Sequence, residues 1–365
     1  MFYLALHWEG GEDADRRNSM FMDPRICLLF LTFLPGMLGA SAQAPPAGQP
    51  VSRSVHLDVT VTAKSGPPVA GLQQQDFTLL DNKATEPITS FKAVSRGQEP
   101  VEVILLLDAV NTRFDTVSYE RGEVQKFLRT NGGKMAHPTT IALLTDQGVQ
   151  MQKGFSTDGK ALNDSLNHYA TRLREINRSA GIWGADERLQ ISLGAVRQLT
   201  AYAATLPGRK IILWISPGWP LLSGVRIQLD AKQEHQIFND IVSVSTQLRL
   251  ADVTLYNINP RGVGEPLLRT DYYQEFVKGI SKPSQTNIGD LGLQVLAIQS
   301  GGLTLESSSD VTGMLERCVA DAESWYEITF DAAVPEQPNE YHHIEIKLNK
   351  PGLSARTRDG YYAQP

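Results

Sequence analysis

The chain has very little cysteine: only Cys27 and Cys318 occur among its 365 residues. One of them, Cys27, lies in an N-terminal segment that we expect to be cleaved, which would leave Cys318 alone. A single thiol can form neither an internal disulfide nor a cysteine metal cluster, so stability must come from an apolar core. Met314, Leu315 and Val319 place Cys318 on the apolar face of a helix, which predicts a small buried side chain rather than a nucleophile.

Positive charge and catalytic motifs are also scarce. The chain has 34 Lys and Arg against 40 Asp and Glu, a formal net charge of −6 and a pI near 5.7. Without a basic run to offset this balance, nucleic acid and anionic membrane surfaces are unfavourable partners. Gly-rich phosphate loops, Gly-x-Ser-x-Gly elbows and His-Glu-x-x-His motifs do not occur. The sequence therefore predicts a protein that is not an enzyme and has no nucleic-acid partner.

No apolar run approaches the roughly 20 residues that a membrane-spanning helix needs. The best candidate, 26–38, follows a basic residue and precedes Ala40-Ser41-Ala42, the arrangement of a secretory signal peptide. We expect residues 1–42 to comprise this signal peptide preceded by an extension that is not translated. The acidic stretch 9–17 is not typical of a signal peptide. The sequence thus predicts export to the periplasm or the extracellular space, with no transmembrane segment after signal removal.

Residues 98–323 alternate strand and helix patterns. The apolar stretches 101–107, 139–144, 210–215, 252–257 and 302–305 predict strands, and the stretches 117–130, 158–175, 186–205, 231–249, 287–299 and 309–323 predict helices. This alternation is typical of an α/β fold with a doubly wound, mostly parallel sheet of Rossmann-like form.

Strand patterns flank that region on both sides. After a Pro-rich linker at 43–52, residues 53–97 contain alternating segments, and residues 324–365 alternate again from Trp325 and from Tyr341. Neither group can bury much of a core alone. We expect them to pair in a small β-sandwich, and a separate N-terminal β-domain is the alternative.

The most informative stretch of the sequence is the apolar run from Val101 to Leu107, which ends at Asp108. Such a run predicts a strand that is buried on both faces. Ligands of open α/β sheets bind at the carboxyl ends of the strands, so Asp108, Asn111 and Thr112 would lie at a binding edge. The simpler interpretation is that Asp108 accepts hydrogen bonds from the following loop or caps a helix.

In this order the motifs resemble the von Willebrand factor type A fold, and more closely the VWFA-related proteins abundant in Acidobacteria. The resemblance covers nearly all of the mature chain and rests on Val61-Thr-Ala-Lys-Ser-Gly with Val69-Ala-Gly-Leu72 and Asp76-Phe77, Leu105-Leu-Leu-Asp108 with Asn111-Thr112, Pro207-Gly-Arg-Lys210 before Ile215-Ser-Pro-Gly218, Val253-Thr-Leu-Tyr256 with Arg261-Gly262, and Arg356-Thr-Arg with Gly360-Tyr361.

This resemblance implies a divalent cation, Mg²⁺ or Mn²⁺, at the carboxyl edge of the sheet. Asp108 matches the first residue of the family's Asp-x-Ser-x-Ser motif and Thr112 stands for its last serine. Val110 replaces the middle serine, and Pro217-Gly218 stands where the family has Asp-Gly. With so few oxygen ligands, the sequence favours a degenerate site without a cofactor, and a reduced metal site is the alternative.

We therefore expect an exported binding or scaffolding protein whose protein partner docks at this edge. The residues we expect there are Asp108, Asn111, Thr112, Trp183, Ser216 and Trp219. Aromatic side chains on such an edge can anchor a ligand, although packing against neighbouring helices is the commoner role of tryptophan. The segment 260–286 would be a lid or an interaction loop. A hydrolase that uses this segment is the remaining alternative.

Overall fold

The computed structural model describes residues 53–64, 66–170, 181–220, 229–260, 272–306 and 309–363. The predicted signal peptide (1–42) and linker (43–52) lie outside these residues, as do positions 171–175 of one predicted helix and 261–271 of the predicted lid. In the part of the chain that is described, no helix is long and apolar enough to cross a membrane.

The strands of the described residues are, in chain order, β1 (Ser54–Thr62), β2 (Phe77–Asp81), β3 (Ala84–Glu86), β4 (Ser90–Ser95), β5 (Val101–Asp108), β6 (Lys134–Thr145), β7 (Gly148–Met151), β8 (Ser156–Asp158), β9 (Arg209–Ile215), β10 (Val253–Ile258), β11 (Thr304–Leu305), β12 (Ser324–Asp331), β13 (Tyr341–Leu348), β14 (Ser354–Arg356) and β15 (Gly360–Tyr362). The α-helices are α1 (Phe114–Phe127), α2 (Gly159–Ala170), α3 (Gly181–Ala203), α4 (Ala231–Leu250), α5 (Leu293–Gln299) and α6 (Val311–Ala320).

A central sheet has the strand order β11-β10-β9-β5-β6-β7, and β8 also pairs with β6. Strands β11, β10, β9, β5 and β6 run parallel, whereas β7 and β8 are antiparallel to β6. Strand β5 lies in the middle, and every residue of β9 is buried. The chain turns tightly into β9 at Gly208, where φ is +64° and a Cβ would lie 2.2 Å from the Pro100 carbonyl oxygen.

Helices cover both faces of the central sheet because alternate residues of each strand point to opposite sides. Leu105 and Leu107 pack with α1, α2 and α6 on one face. Ile104 and Leu106 pack with α3, α4 and α5 on the other. The doubly wound α/β fold predicted from the sequence is confirmed.

Strands from both ends of the described chain form two further antiparallel sheets, in the orders β14-β1-β12-β4 and β15-β13-β2-β3. Each sheet thus mixes strands that precede the central sheet with strands that follow it. Their inner faces share one apolar core, to which Leu57 and Ile328 contribute from the first sheet and Leu79 and Ile344 from the second. This arrangement confirms the predicted β-sandwich.

Several short elements were not predicted. The hairpin strand β7 has a weak pattern because its four residues are all half-buried, and β3, β8 and β14 have only three residues each. The predicted helix 287–299 is interrupted. A 3-10 turn at Ile288–Leu291, capped by Asn287, comes first, and the α-helix begins only at Leu293.

Candidate functional site

The carboxyl edge of the central sheet contains the position where the strand order reverses. From β5 the chain proceeds to β6 and β7 on one side, and from β9 to β10 and β11 on the other. The crevice at the carboxyl ends of two such strands is the usual ligand position in open α/β sheets. Asp108 ends β5 and Ser216 follows β9, so two of the predicted site residues meet at this crevice.

The Asp108 carboxylate is fully buried and accepts five hydrogen bonds. Its Oδ1 accepts from the backbone N–H of Val110 and of Asn111, both at 2.9 Å. Its Oδ2 accepts from Asn111 Nδ2 at 2.8 Å, from Ser216 Oγ at 2.9 Å and from Trp214 Nε1 at 3.0 Å. The hydrogen bonding of Asp108 to the following loop, predicted from the sequence, is confirmed. Asp108 thus joins β5, β9 and the loop that leads into α1.

These contacts do not fit the cation that the type A resemblance implies. A carboxylate has about four lone-pair positions, and five donors already use those of Asp108. The Trp214 indole and the Asn111 amide donate to the oxygen that a metal ion would need. Val110 offers only a buried apolar side chain. Asp108 therefore acts as a structural hydrogen-bond acceptor here.

Glu120 of α1 lies beside this group and was missed by sequence reasoning. Its carboxylate is fully buried and lies beside the Thr112 hydroxyl. Burial, and then the charge of Asp108, raise the pKa of Glu120 well above its ordinary value. A sequence signal existed, because Glu120 shares a helical face with Val117 and Val124, which face the core.

The residues predicted to bind a partner differ in how exposed their side chains are. The side chains of Asp108, Thr112, Ser216 and Trp219 are buried, whereas that of Trp183 is 63% exposed. Trp219 packs edge-on against Trp214, with ring centroids 5.2 Å apart. Asn111 is half-buried and donates to Ser192 Oγ on α3. Of the predicted set, only Trp183 and Asn111 have exposed surface that a partner could contact. The other four side chains are buried beneath the edge.

Helix α3 extends beyond this edge. It leads to β9, which starts at the amino end of the sheet, so α3 itself starts at the carboxyl end. The Ser192–Asn111 hydrogen bond, 2.9 Å long, marks the level of the edge. Trp183 precedes Ser192 by nine residues, which places it roughly 14 Å further along the helix axis. Exposed Asp186 and Glu187 follow at the spacings that share its helical face.

The sandwich covers the amino end of the sheet and is joined to it by a buried ion pair. Arg209, at the start of β9, places Nε 3.0 Å from Asp58 Oδ2 of β1. Its Nη1 donates to the Asp321 carbonyl oxygen at 3.1 Å, and the guanidinium lies 5.3 Å from the centroid of the Trp325 ring. Burial alone would raise the pKa of Asp58, but the Arg209 charge and a hydrogen bond from His56 outweigh it and lower that pKa.

Next to Arg209, His56, Asp58 and Asp252 bring three ligand atoms within 4.8 Å of one another. Burial, and then the charge of Asp58, raise the pKa of Asp252 to about 6. Sequence reasoning treated His56 and Asp58 only as the polar half of an alternating strand. Their spacing of two residues was the available signal, and the third member comes from a distant turn that no local pattern connects to them.

One further prediction from the sequence, a buried Cys318, is confirmed. Cys318 is a buried thiol of α6, and burial raises its pKa far above the ordinary value. His342 and His343 point to opposite faces of β13, one buried and one exposed. His342 Nδ1 lies 2.9 Å from Asp81 Oδ1, and Tyr361 donates to Asp81 Oδ2 at 2.8 Å. These groups form a polar network inside the sandwich.

No family model matches the sequence, and no curated protein matches it. Solved structures show a similarity of fold. The human COPII-coat protein Sec24c matches with 8% identity and a TM-score of 0.34, over 73% of this chain and 44% of that chain. A point mutant of the PilB minor pilin from Streptococcus sanguinis matches with 10% identity and a TM-score of 0.34, over 62% of each chain.

Manganese-loaded TRAP protein of Plasmodium vivax matches with 9% identity and a TM-score of 0.34, over 75% of this chain and 98% of that chain. The present chain spans less than half of the Sec24c chain and 62% of the pilin chain. At these identities and TM-scores the comparisons concern the arrangement of helices and strands alone.

Proposed function

We propose that the protein is an exported, non-enzymatic binding protein that engages another protein at the carboxyl edge of its central sheet. The observation that carries this proposal is the exposure of Trp183 on the part of α3 that extends past the edge. Tryptophan is enriched among the residues that contribute most to binding energy at protein interfaces. Its large apolar surface would be covered by a partner.

An acidic residue beside Trp183 favours a basic partner. Asp186 lies on the same helical face and is exposed. A partner that places an apolar pocket over the indole would therefore gain from Lys or Arg at the rim of that pocket. Such rim charges mainly raise the association rate, and salt screens them. We expect binding to weaken as ionic strength rises.

The hydrogen bonds of Asp108 support this function by fixing the surface. They connect β5, β9 and the loop before α1, and the Asn111–Ser192 bond attaches α3 to the same group. A preorganised surface binds with a smaller loss of conformational entropy. The alternative function, Mg²⁺- or Mn²⁺-dependent adhesion through Asp108 and Thr112, gains no support from a carboxylate whose lone pairs are already used.

The test is capture from the native envelope fraction with wild-type protein, a Trp183→Ala variant and a Leu250→Ala control. Leu250 is 71% exposed, and it ends α4 at the opposite end of the sheet. A protein retained by wild type and by the control should be lost by Trp183→Ala, with an affinity reduced about 30-fold, as for a hot-spot residue. Equal retention by all three proteins would place binding elsewhere.

A further inference from the structure

The junction between the sandwich and the amino end of the central sheet contains three side chains that suit a metal ion. His56 and Asp58 come from β1, and Asp252 comes from the turn between α4 and β10. Each offers one ligand atom, and the three atoms lie within 4.8 Å of one another. The group lies at the opposite end of the sheet from Asp108 and Trp183, so it is independent of the proposed partner surface.

The spacing along β1 places two of these groups side by side. Leu57 and Val59 point into the sandwich core, so His56 and Asp58 point to the other face of the strand. His56 Nε2 and Asp58 Oδ1 are 3.3 Å apart. That distance is also close to the separation of about 3.3 Å between two ligands of a tetrahedral ion with bonds near 2.0 Å.

The carboxylates retain oxygens that could bind an ion. The Asp58 side chain is only 9% exposed, and its Oδ2 is held in the ion pair with Arg209 Nε at 3.0 Å. Its Oδ1 is the oxygen turned towards His56. The charge of Asp58 contributes to raising the pKa of Asp252, so the two carboxylates lie close to each other. Two carboxylates that face each other in this way favour a shared cation.

We propose that His56, Asp58 and Asp252 bind a divalent transition-metal ion such as Zn²⁺ or Mn²⁺. One imidazole nitrogen and two carboxylate oxygens suit these ions, and the exposed side of His56 leaves positions open to water. Arg209 is a positioning residue: it holds Asp58 from the Oδ2 side, so that Oδ1 stays turned towards His56. The bound ion joins β1 to the α4–β10 turn and so fastens the sandwich to the sheet.

The charges of Arg209 and Arg358 limit the affinity of this site. Both guanidinium groups are buried near the two carboxylates, and burial lowers the pKa of Arg358 to about 10. They offset part of the negative charge that an ion would feel. We therefore expect micromolar rather than picomolar binding of Zn²⁺, and little competition from Mg²⁺, which prefers a full set of oxygen ligands.

The experiment is calorimetric titration of the full chain, without a histidine tag, with Zn²⁺. Wild type should bind one ion, and Asp252→Asn and His56→Ala should each weaken binding at least about tenfold. His235→Ala removes an exposed histidine of α4, and Trp183→Ala alters the proposed partner surface; both should bind as wild type does. The EPR spectrum of Mn²⁺ provides a second readout, since the hexaaqua signal should broaden with wild type and persist with His56→Ala.

Two results would overturn the proposal. One is the absence of Zn²⁺ binding to wild type at millimolar metal. The other is binding that His56→Ala leaves unchanged or that His235→Ala weakens equally, because the ion would then lie at another site. Neither result bears on partner capture through Trp183, so this inference and the proposed function fail separately.

Discussion

Asp108 shows how a buried charge is stabilised without an opposite charge in contact. Five neutral donors surround its carboxylate, two of them backbone amides of the following loop. Hydrogen bonds to a charged group are stronger than those between neutral groups. A donor that loses its partner in a buried position is correspondingly costly. The same residue that resembles a metal ligand in the sequence therefore contributes chiefly to stability.

An Asp108→Asn variant should lose about 2–4 kcal/mol of unfolding free energy, because the new amide group would face donors instead of accepting from them. Chemical denaturation measures this change. Asp164→Asn, an exposed position of α2, should change stability by less than about 0.5 kcal/mol. A loss at Asp108 no larger than that of the control would contradict the role assigned to this carboxylate.

Two buried histidines should respond to pH with opposite signs. The hydrogen bond with Asp81 raises the pKa of His342, so its stabilisation is fully present below the pKa of unfolded histidine. That stabilisation is lost as pH rises through the folded value. For His137, burial and then the charges of Arg96 and Arg209 lower the pKa to about 4. The neutral ring is favoured, so this site loses stability as pH falls from about 6.5 to 4.

Denaturation of His342→Gln and His137→Gln between pH 4.5 and 8.5 tests this pair. The stability difference between wild type and His342→Gln should shrink as pH rises. The difference between wild type and His137→Gln should shrink as pH falls. Parallel curves for both variants and wild type would show that neither ring changes its proton affinity on folding.

Local residue patterns predicted much of the fold and less of the site. The run from Val101 to Leu107 was enough to predict β5, because burial on both faces leaves a local signature. Trp183 and Trp219 carried the same signal in the sequence, yet one is 63% exposed and the other 4%. Their difference depends on what packs against them. Likewise, Asp252 reaches His56 and Asp58 only because the sandwich closes over the amino end of the sheet.

At the level of elements, β12 lies inside one sheet of the sandwich and connects its two N-terminal strands, β1 and β4. It pairs with β1 on one side and with β4 on the other, so a strand that follows the central sheet lies between two that precede it. Its inward residues, Tyr326, Ile328 and Phe330, are fully buried. The sandwich therefore forms only when both ends of the described chain come together.

Ile328→Ala should lower the unfolding free energy by about 2–5 kcal/mol, the usual cost of truncating a buried aliphatic side chain to alanine. Leu250→Ala is the matched control, because this side chain is 71% exposed and should contribute little. Thermal and chemical denaturation provide the comparison. If the two variants were equally stable, the shared core of the two small sheets would not be the source of their stability.

At the level of the whole molecule, the two ends of the central sheet differ in environment. The sandwich covers the amino end through Arg209, which contacts Asp58, Asp321 and Trp325. Among the described residues at the carboxyl end, Asn111 contacts Ser192 of α3, and Gln294 of α5 donates to the Pro217 carbonyl oxygen. The ion pair that attaches the sandwich is therefore at the opposite end of the sheet from the edge where we propose that a partner binds.

Arg209→Met should lower stability by about 3–5 kcal/mol, because the buried Asp58 would lose its cation. Probes of the sandwich and probes of the central sheet should then also report unfolding at different denaturant concentrations. Arg96→Met removes an exposed pair with Glu323 near the same junction and should cost no more than about 1 kcal/mol. Coincident, unshifted transitions in Arg209→Met would mean that this ion pair does not couple the two parts.

The most direct test of the proposed function is hydrogen–deuterium exchange of the protein with and without the partner captured through Trp183. The proposal predicts that binding slows amide exchange in 181–192 of α3 and in 109–113, which follows β5. Exchange in 54–58 of β1 and in 249–253 should stay unchanged, because these residues lie at the covered end of the sheet. Protection confined to the sandwich or to the amino end, with α3 unaffected, would contradict binding at the carboxyl edge.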